Sequence, residues 1–349
     1  MSDPAASAIV EYLGPVAWLA AMLGCALMIL VLTPVLRNAA MAVPTHRSSH
    51  DKPTPQWGGL AITSATLGVA LLAIYGYGDF AADARASALQ VLLAALVLLV
   101  LGGVDDLYHL EPKVKLLVQA LAAALMLAAI PDELRTIPFL PLWLERVILL
   151  LGTVWFINLV NFMDGIDWMM VAEVVPITAG VAIIGALGAL PPAALVVALA
   201  LNGAMLGFAP FNRPVARLFM GDMGSLPIGL VLAWLLIVVA GSGYAIAAVL
   251  LPLYFVADTG LTIVRRARAG ERLSVAHRTH YYQRARDNGF TNMQIVGRVL
   301  AVNIGLVVLA ALSVVAHAPL SSALALLAGC GLVAWLMIGF AIPRATGDA

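Results

Sequence analysis

Three stretches of this sequence place acids, amides and glycines where they could act on a polar ligand. In Asn158-Leu159-Val160-Asn161-Phe162-Met163-Asp164-Gly165-Ile166-Asp167 a polar side chain returns at every third position. Residues three apart share a helical face, and four in succession drift around it into a curved polar strip. A lone Asn would serve as glue between membrane helices; Asn158, Asn161, Asp164 and Asp167 together read as a binding surface. Gly102-Gly103-Val104-Asp105-Asp106 ends in adjacent carboxylates. Such neighbours raise one another's pKa unless a cation or donor intervenes, and adjacent helical residues point apart. Asp105 and Asp106 therefore suit two separate roles, with a solvated helix end as the plain alternative. Met220-Gly221-Asp222-Met223-Gly224-Ser225-Leu226 opens a further apolar run. Its glycines permit close backbone approach, and a helix start offers free N–H groups to an anion. Asp222 could hold Mg²⁺ there while the backbone holds phosphate oxygens. Simple N-capping by Asp222 or Ser225 is the alternative.

A basic stretch over 265–286 contains seven arginines and the run Ala276-His277-Arg278-Thr279-His280. Arginine suits bidentate phosphate binding, although lipid headgroups account for most arginines in such a position. His277 and His280, three apart, could donate to phosphate or exchange protons near neutral pH. Two histidines without a nearby Cys are too few for zinc. The Pro- and Gly-rich segment 47–59 includes Lys52, which either pairs with an anionic ligand or sits in an ordinary turn. Asp258 lies inside an apolar run, where a carboxylate is either functional or paired with Arg265 or Arg266. Glu173 opens another run and favours the N-terminus of that helix.

The elements that must position these groups are membrane helices. Of the 349 residues, 62% are hydrophobic and 11% charged, and the mean hydropathy is +1.00. Soluble domains carry about 25% charged residues, so too little polar surface exists to coat a water-soluble body of this size. About eleven apolar runs reach the roughly 17–25 residues that cross a bilayer. They lie near 15–36, 58–77, 86–104, 114–130, 145–161, 172–190, 192–208, 223–241, 243–264, 295–316 and 319–342. The expected fold is all-α, a polytopic membrane protein with one domain over 1–349. Only Pro191 and Pro192 separate the sixth and seventh runs, which should form a tight hairpin. The first run is long enough to stay a helix, and its N-terminal flank holds Asp3 and Glu11 without Lys or Arg, so no cleavable signal peptide is expected. Of the 19 basic residues, all but Arg85, Arg135 and Arg146 fall on one side of these runs. Basic loops stay inside, which puts the N-terminus outside, the C-terminus in the cytoplasm, and the acid clusters at the cytoplasmic face. The net charge of zero excludes a strongly basic nucleic-acid binder. Cys25 and Cys330, far apart in apolar runs, suit packing better than a disulfide or a zinc site.

Acids and amides from several helix ends, with arginines around them, would form one composite site. Carboxylate oxygens select Mg²⁺, with Mn²⁺ as the alternative ion, and Mg²⁺ usually bridges protein to substrate phosphates. The ligand this suits is a diphosphate such as a nucleotide-sugar, and the membrane setting suggests a lipid as second substrate. Metal-neutralised diphosphate cleavage is phosphoryl transfer, in which positioning and electrostatics dominate.

The same residues resemble the polyprenyl-phosphate N-acetylhexosamine-1-phosphate transferase family. That family includes the phospho-MurNAc-pentapeptide translocases and the initiators of O-antigen and teichoic-acid linkage synthesis. The resemblance covers roughly residues 40–300. Asp105-Asp106-Leu107, Leu110-Glu111-Pro112 and Lys113-Val114-Lys115-Leu116-Leu117-Val118-Gln119 are similar to its aspartate-pair segment. The run from Asn158 to Asp167 resembles its nucleotide-binding segment, Met220 to Ser225 its metal-binding segment, and Ala276 to His280 its histidine loop. The resemblance implies transfer of a sugar 1-phosphate from a UDP-N-acetylhexosamine to undecaprenyl phosphate, with release of UMP, in the bacterial inner membrane. It implies that Asp222 holds Mg²⁺ together with Asp164, and that Asp105 or Asp106 activates the lipid phosphate as base. Asn158, Asn161, Asp164 and Asp167 would line the nucleotide site. Lys52, Lys115, His277, Arg278 and His280 would contact substrate. Direct attack and a covalent aspartyl intermediate are both open at this point, and a homodimer is compatible with the reading. Relatives usually carry Gly where this chain has Trp168, and often Arg-Gly at Gln56-Trp57, so both tryptophans are candidates for reshaping the sugar pocket. Two histidines in place of a triple-His run argue for the O-antigen or exopolysaccharide branch. A secondary transporter, with acids near the midplane and repeated halves, or an inactive scaffolding relative, are the competing readings.

Overall fold

The computed structural model describes residues 12–36, 41–42, 53–77, 80–187, 189–272, 278–316 and 318–344. Lys52 and His277 lie outside these, as does the rest of 43–52. The helices are α1 (Gly14–Leu36), α2 (Gly58–Leu72), α3 (Ala82–Tyr108), α4 (Pro112–Ala128), α5 (Leu142–Met163), α6 (Met169–Ala186) and α7 (Pro192–Asn212). They continue with α8 (Asp222–Val239), α9 (Ala245–Leu250), α10 (Leu253–Arg268), α11 (Tyr281–Asp287), α12 (Asn292–Ala316) and α13 (Pro319–Ala341). Two-residue strands β1 (Met41–Ala42) and β2 (Thr54–Pro55) pair antiparallel. Proline stands in the first turn of α4, α7 and α13. There its fixed φ suits the helix and its missing N–H costs nothing.

The fold is the expected all-α membrane architecture, but the count of spans differs. Among the described residues, nine helical stretches are long and apolar enough to cross a bilayer. The expected fourth span is α4, whose 17 residues rise about 25 Å, at the lower edge of the range that crosses a bilayer. The expected ninth span, 243–264, is not one helix. Its first part, α9, runs on from α8 as the stretch Asp222–Leu250. A turn at Leu251 and Pro252 then starts the 16-residue α10, which carries buried Asp258 and Arg266. The sixth span ends at Ala186, four residues before the expected limit.

Helix α8 is the axis of the bundle, buried at every residue from Gly224 to Val239. It packs against α3, α5 and α2. Only five of the 23 residues of α1 are buried, and Leu19, Leu23, Leu27 and Leu30 face outward, as suits a surface solvated by hydrocarbon. Glycines bring three backbones together at one end of α8. A Cβ on Gly59 of α2 would stand 2.0 Å from the Gly224 nitrogen, and one on Gly102 of α3 would stand 2.3 Å from the Asp222 backbone. The segment before α2 is stitched to the segment before α8: Phe219 N–H donates to Pro55 O at 2.8 Å and Gly58 N–H to Phe219 O at 2.9 Å.

The opposite end is closed by a loop folded around Glu145. This buried carboxylate accepts Arg135 Nε at 2.5 Å, and the Thr136 N–H and hydroxyl at 2.7 and 2.8 Å. Leu134 of the same loop lies where a Cβ on Gly241, beyond α8, would fall. The bundle therefore has a carboxylate-rich face and, at its other end, a small closed polar face.

Candidate active site

The carboxylate-rich face holds a cavity of about 310 Å³ whose wall includes Asp106, Asp164, Asp167, Asp222 and Asn161. Each comes from a helix end. Asp105 and Asp106 occupy the last turn of α3, Asn161 that of α5, and Asp164 and Asp167 the turn between α5 and α6. Asp222 opens α8.

Asp105 and Asp106 point to different partners. Lys115 Nζ, from α4, donates to Asp105 Oδ2 at 2.6 Å and to Asp222 Oδ2 at 3.3 Å. Leu110 N–H donates to Asp105 Oδ1 at 2.8 Å and so closes the turn after α3. Asp106 instead accepts the N–H groups of Asp222 and Met223, each at 3.2 Å. The next two N–H groups of α8, at Gly224 and Ser225, go to Gly221 O at 3.1 Å. The expectation that this helix start offers free N–H groups to a phosphate is thereby corrected. A carboxylate from α3 already satisfies them, and neither Asp222 nor Ser225 caps its own helix. Gly221 makes the approach feasible. Its φ is 70°, and a Cβ there would meet Gln56 O at 2.4 Å and Asp106 Oδ2 at 2.6 Å.

Asn161 Nδ2 donates to Asp222 Oδ1 at 2.6 Å and to Ser225 Oγ at 2.8 Å, holding the Asp222 carboxylate toward the cavity. Asp167 Oδ2 accepts Ala216 N–H at 3.1 Å. Asp164 accepts no hydrogen bond among the described residues. Burial, with the charges of Asp222, Asp106 and Asp167, raises its pKa to about 7.

Other expected site residues stand off the wall. Asn158 ties α5 to α4, donating to Gln119 Oε1 at 2.7 Å. His280 is buried, with Nδ1 3.2 Å from Asp258 Oδ1. Asp258 also accepts the N–H groups of Tyr281 and Tyr282, at 2.9 and 3.2 Å, so it anchors the start of α11. Arg266 binds Glu271 at 2.7 Å, and Arg265 the Thr279 carbonyl. Arg278 reaches Asp287 at 3.4 Å. Neither tryptophan lines the cavity. Trp57 is buried beneath the start of α2, and Trp168 is turned toward α7. Glu173, expected only to favour a helix start, is fully buried and accepts Asn303 Nδ2 at 2.5 Å.

Gln56, Asn212 and Gln283 also line the wall, and sequence reasoning gave them no role there. Gln283 Oε1 accepts His280 N–H at 3.2 Å, which places His280 directly behind the wall. The one available signal was a lone amide at the end of an apolar run, as Asn212 is for α7.

Four carboxylates on one wall would repel a diphosphate. The residues fit a hard divalent cation that would reverse this, since all the free donors are oxygens. No three His, Cys, Asp or Glu side chains form a complete cage among the described residues. Mg²⁺ uses one or two carboxylates, completing its shell with water and substrate phosphates.

A multi-pass helical bundle with a carboxylate-walled cavity at the helix ends is the class that fold and site define. Residues 88–240 match the model of glycosyl transferase family 4. A Bacillus subtilis protein described as "probable undecaprenyl-phosphate N-acetylglucosaminyl 1-phosphate transferase" is 28% identical over 77% of each chain. The decaprenyl-phosphate N-acetylglucosaminephosphotransferase of Mycobacterium tuberculosis is 30% identical over 92% of this chain and 84% of its own. A phospho-N-acetylmuramoyl-pentapeptide-transferase of Synechococcus is 32% identical over 79% and 85%. The chain belongs to glycosyl transferase family 4 and is a transferase.

Proposed function

We propose that this protein transfers the sugar 1-phosphate of a UDP-N-acetylhexosamine to undecaprenyl phosphate, at the cytoplasmic face, with Mg²⁺ held by Asp222 and Asp164. The observation that carries the proposal is the cavity wall itself. Asp164 has no protein partner among the described residues, it faces the Asp222 charge, and the N–H groups of α8 are already engaged. Phosphate therefore needs a cation to dwell there. Relatives named for polyprenyl-phosphate N-acetylglucosamine transfer support the donor and acceptor classes. The asymmetric distribution of Lys and Arg supports the cytoplasmic side.

In this reading an acceptor phosphate oxygen attacks the phosphorus that carries the sugar. A new P–O–P bond forms, the bond to the UMP phosphate breaks, and its electron pair leaves with UMP. A phosphate monoester has a second pKa of about 6, so the acceptor is mostly deprotonated at neutral pH and positioning matters more than a base. Asp105 is engaged by Lys115 and Asp106 by two backbone N–H groups. That engagement favours direct attack over an aspartyl intermediate on either of them. Bound metal would neutralise the diphosphate, while Lys115 and Asn161 hold Asp222 in place.

The test is UMP release by purified protein given undecaprenyl phosphate, Mg²⁺ and a panel of UDP-N-acetylhexosamines. Release that needs lipid and stops with EDTA is expected. Release from a folded sample with no lipid present would overturn direct attack, and no release from any donor would overturn the function.

A further inference from the structure

Trp168 closes the turn that carries Asp164 and Asp167, immediately before α6, and its φ is 64°. A bulky residue seldom occupies this left-handed region, because its Cβ crowds the backbone. Two bonds hold it there. Its backbone N–H donates to Asn212 Oδ1 at 2.8 Å, and its indole Nε1–H donates to the Ala209 carbonyl at 2.6 Å. Ala209 lies in the last turn of α7, where carbonyls carry the negative end of the helix dipole and attract a donor. Asn212 is shared: it lines the cavity, and its Nδ2 donates to Leu218 O at 3.0 Å. The turn 164–167, all of it cavity wall, is thus fastened to the end of α7 through the side chain that follows it.

We propose that Trp168 is a positioning residue, whose indole tie to Ala209 holds the left-handed turn and with it the Asp164 and Asp167 carboxylates at the donor side of the cavity. The alternative is that the ring only fills space and the strained turn would fold better with glycine. The assignment of a donor side rests on the proposed function; the tie itself does not.

Three full-length variants separate these cases. W168F keeps a ring and loses the N–H, W168G relieves the φ and loses the tie, and W168H restores a ring N–H. Loss of one net hydrogen bond corresponds to about a tenfold change. W168F and W168G should therefore raise the donor KM about tenfold with the lipid KM little changed, and W168H should recover part of the loss. Amide exchange is read in parallel and needs no turnover. Peptides covering the 164–168 turn should exchange faster in W168F than in wild type, with the rest of the protein unchanged. Wild-type exchange in W168F, a wild-type donor KM in W168G, or an equal loss in both KM values with general destabilisation would each overturn the proposal. If wild type itself releases no UMP, the proposed function fails while amide exchange still decides the tie.

Discussion

Asp222 and Asp106 are close in space and differ in what they support. Asp222 is aimed into the cavity by Asn161 and Lys115, whereas Asp106 holds the first two N–H groups of α8. Asp222→Asn keeps an acceptor for Asn161 and removes the charge. We expect turnover to fall at least ~100-fold, as when a charge-stabilising group is lost at a reacting centre, with the melting temperature in detergent close to wild type. Asp106→Ala should also lower the melting temperature, since losing such a cap costs about 1 kcal/mol. Near-normal turnover in Asp222→Asn would remove it from the proposed metal site, and an unchanged melting temperature in Asp106→Ala would remove the cap from the account.

At the scale of elements, the site depends on how closely α2 and α3 approach α8. Gly59 and Gly102 stand where any Cβ would overlap α8 backbone, whereas Gly68, two turns further along α2, has open space around it. Gly102→Ala should push α3 outward and detach Asp106 from α8. We expect a loss of about 1–3 kcal/mol, typical of overpacking, and a loss of UMP release out of proportion to it. Gly68→Ala should be neutral or slightly stabilising, because Ala favours the helix by up to ~1 kcal/mol. Equal behaviour of the two variants in thermal melts would refute the backbone-contact account. A second tie acts on α11. The Phe290 ring lies 4.1 Å from the Arg344 guanidinium and 4.7 Å from that of Arg298, and Asn288 Nδ2 donates to Phe340 O at 2.8 Å. The last turns of the described chain thus hold the helix that carries Gln283.

For the whole molecule the open quantity is which way the carboxylate-rich face points. The distribution of Lys and Arg favours the cytoplasm. Ala269, in the exposed turn after α10, is a suitable reporter. In a Cys330→Ala background, because Cys330 is exposed and Cys25 buried, a cysteine at 269 should resist an impermeant reagent in intact cells and react after permeabilisation. Labelling of intact cells would reverse the orientation and move the proposed reaction to the other side. Gathering of the acids at one end of the bundle, away from its midplane, also sets the molecule apart from a transporter pattern.

Composition and the length of the apolar runs were enough to determine a helical membrane protein, because hydrocarbon leaves the backbone few other ways to satisfy its hydrogen bonds. The spacing from Asn158 to Asp167 predicts a shared helical face, but α5 ends at Met163 and Asp164 and Asp167 lie in the turn that follows, so helical periodicity did not set their directions. Partnership was decided only by the tertiary structure. Whether a carboxylate faces a ligand, a lysine or another helix's N–H groups depends on which backbones touch. That contact joins Gly102 to Asp222 and Gly59 to Gly224, residues more than a hundred positions apart. Asp106 became a cap, Asn158 a helix tie and His280 a residue behind the wall for this reason. The expected ninth span was likewise decided by the tertiary structure: the break at Leu251 and Pro252 turns it into the end of one helix and the start of another.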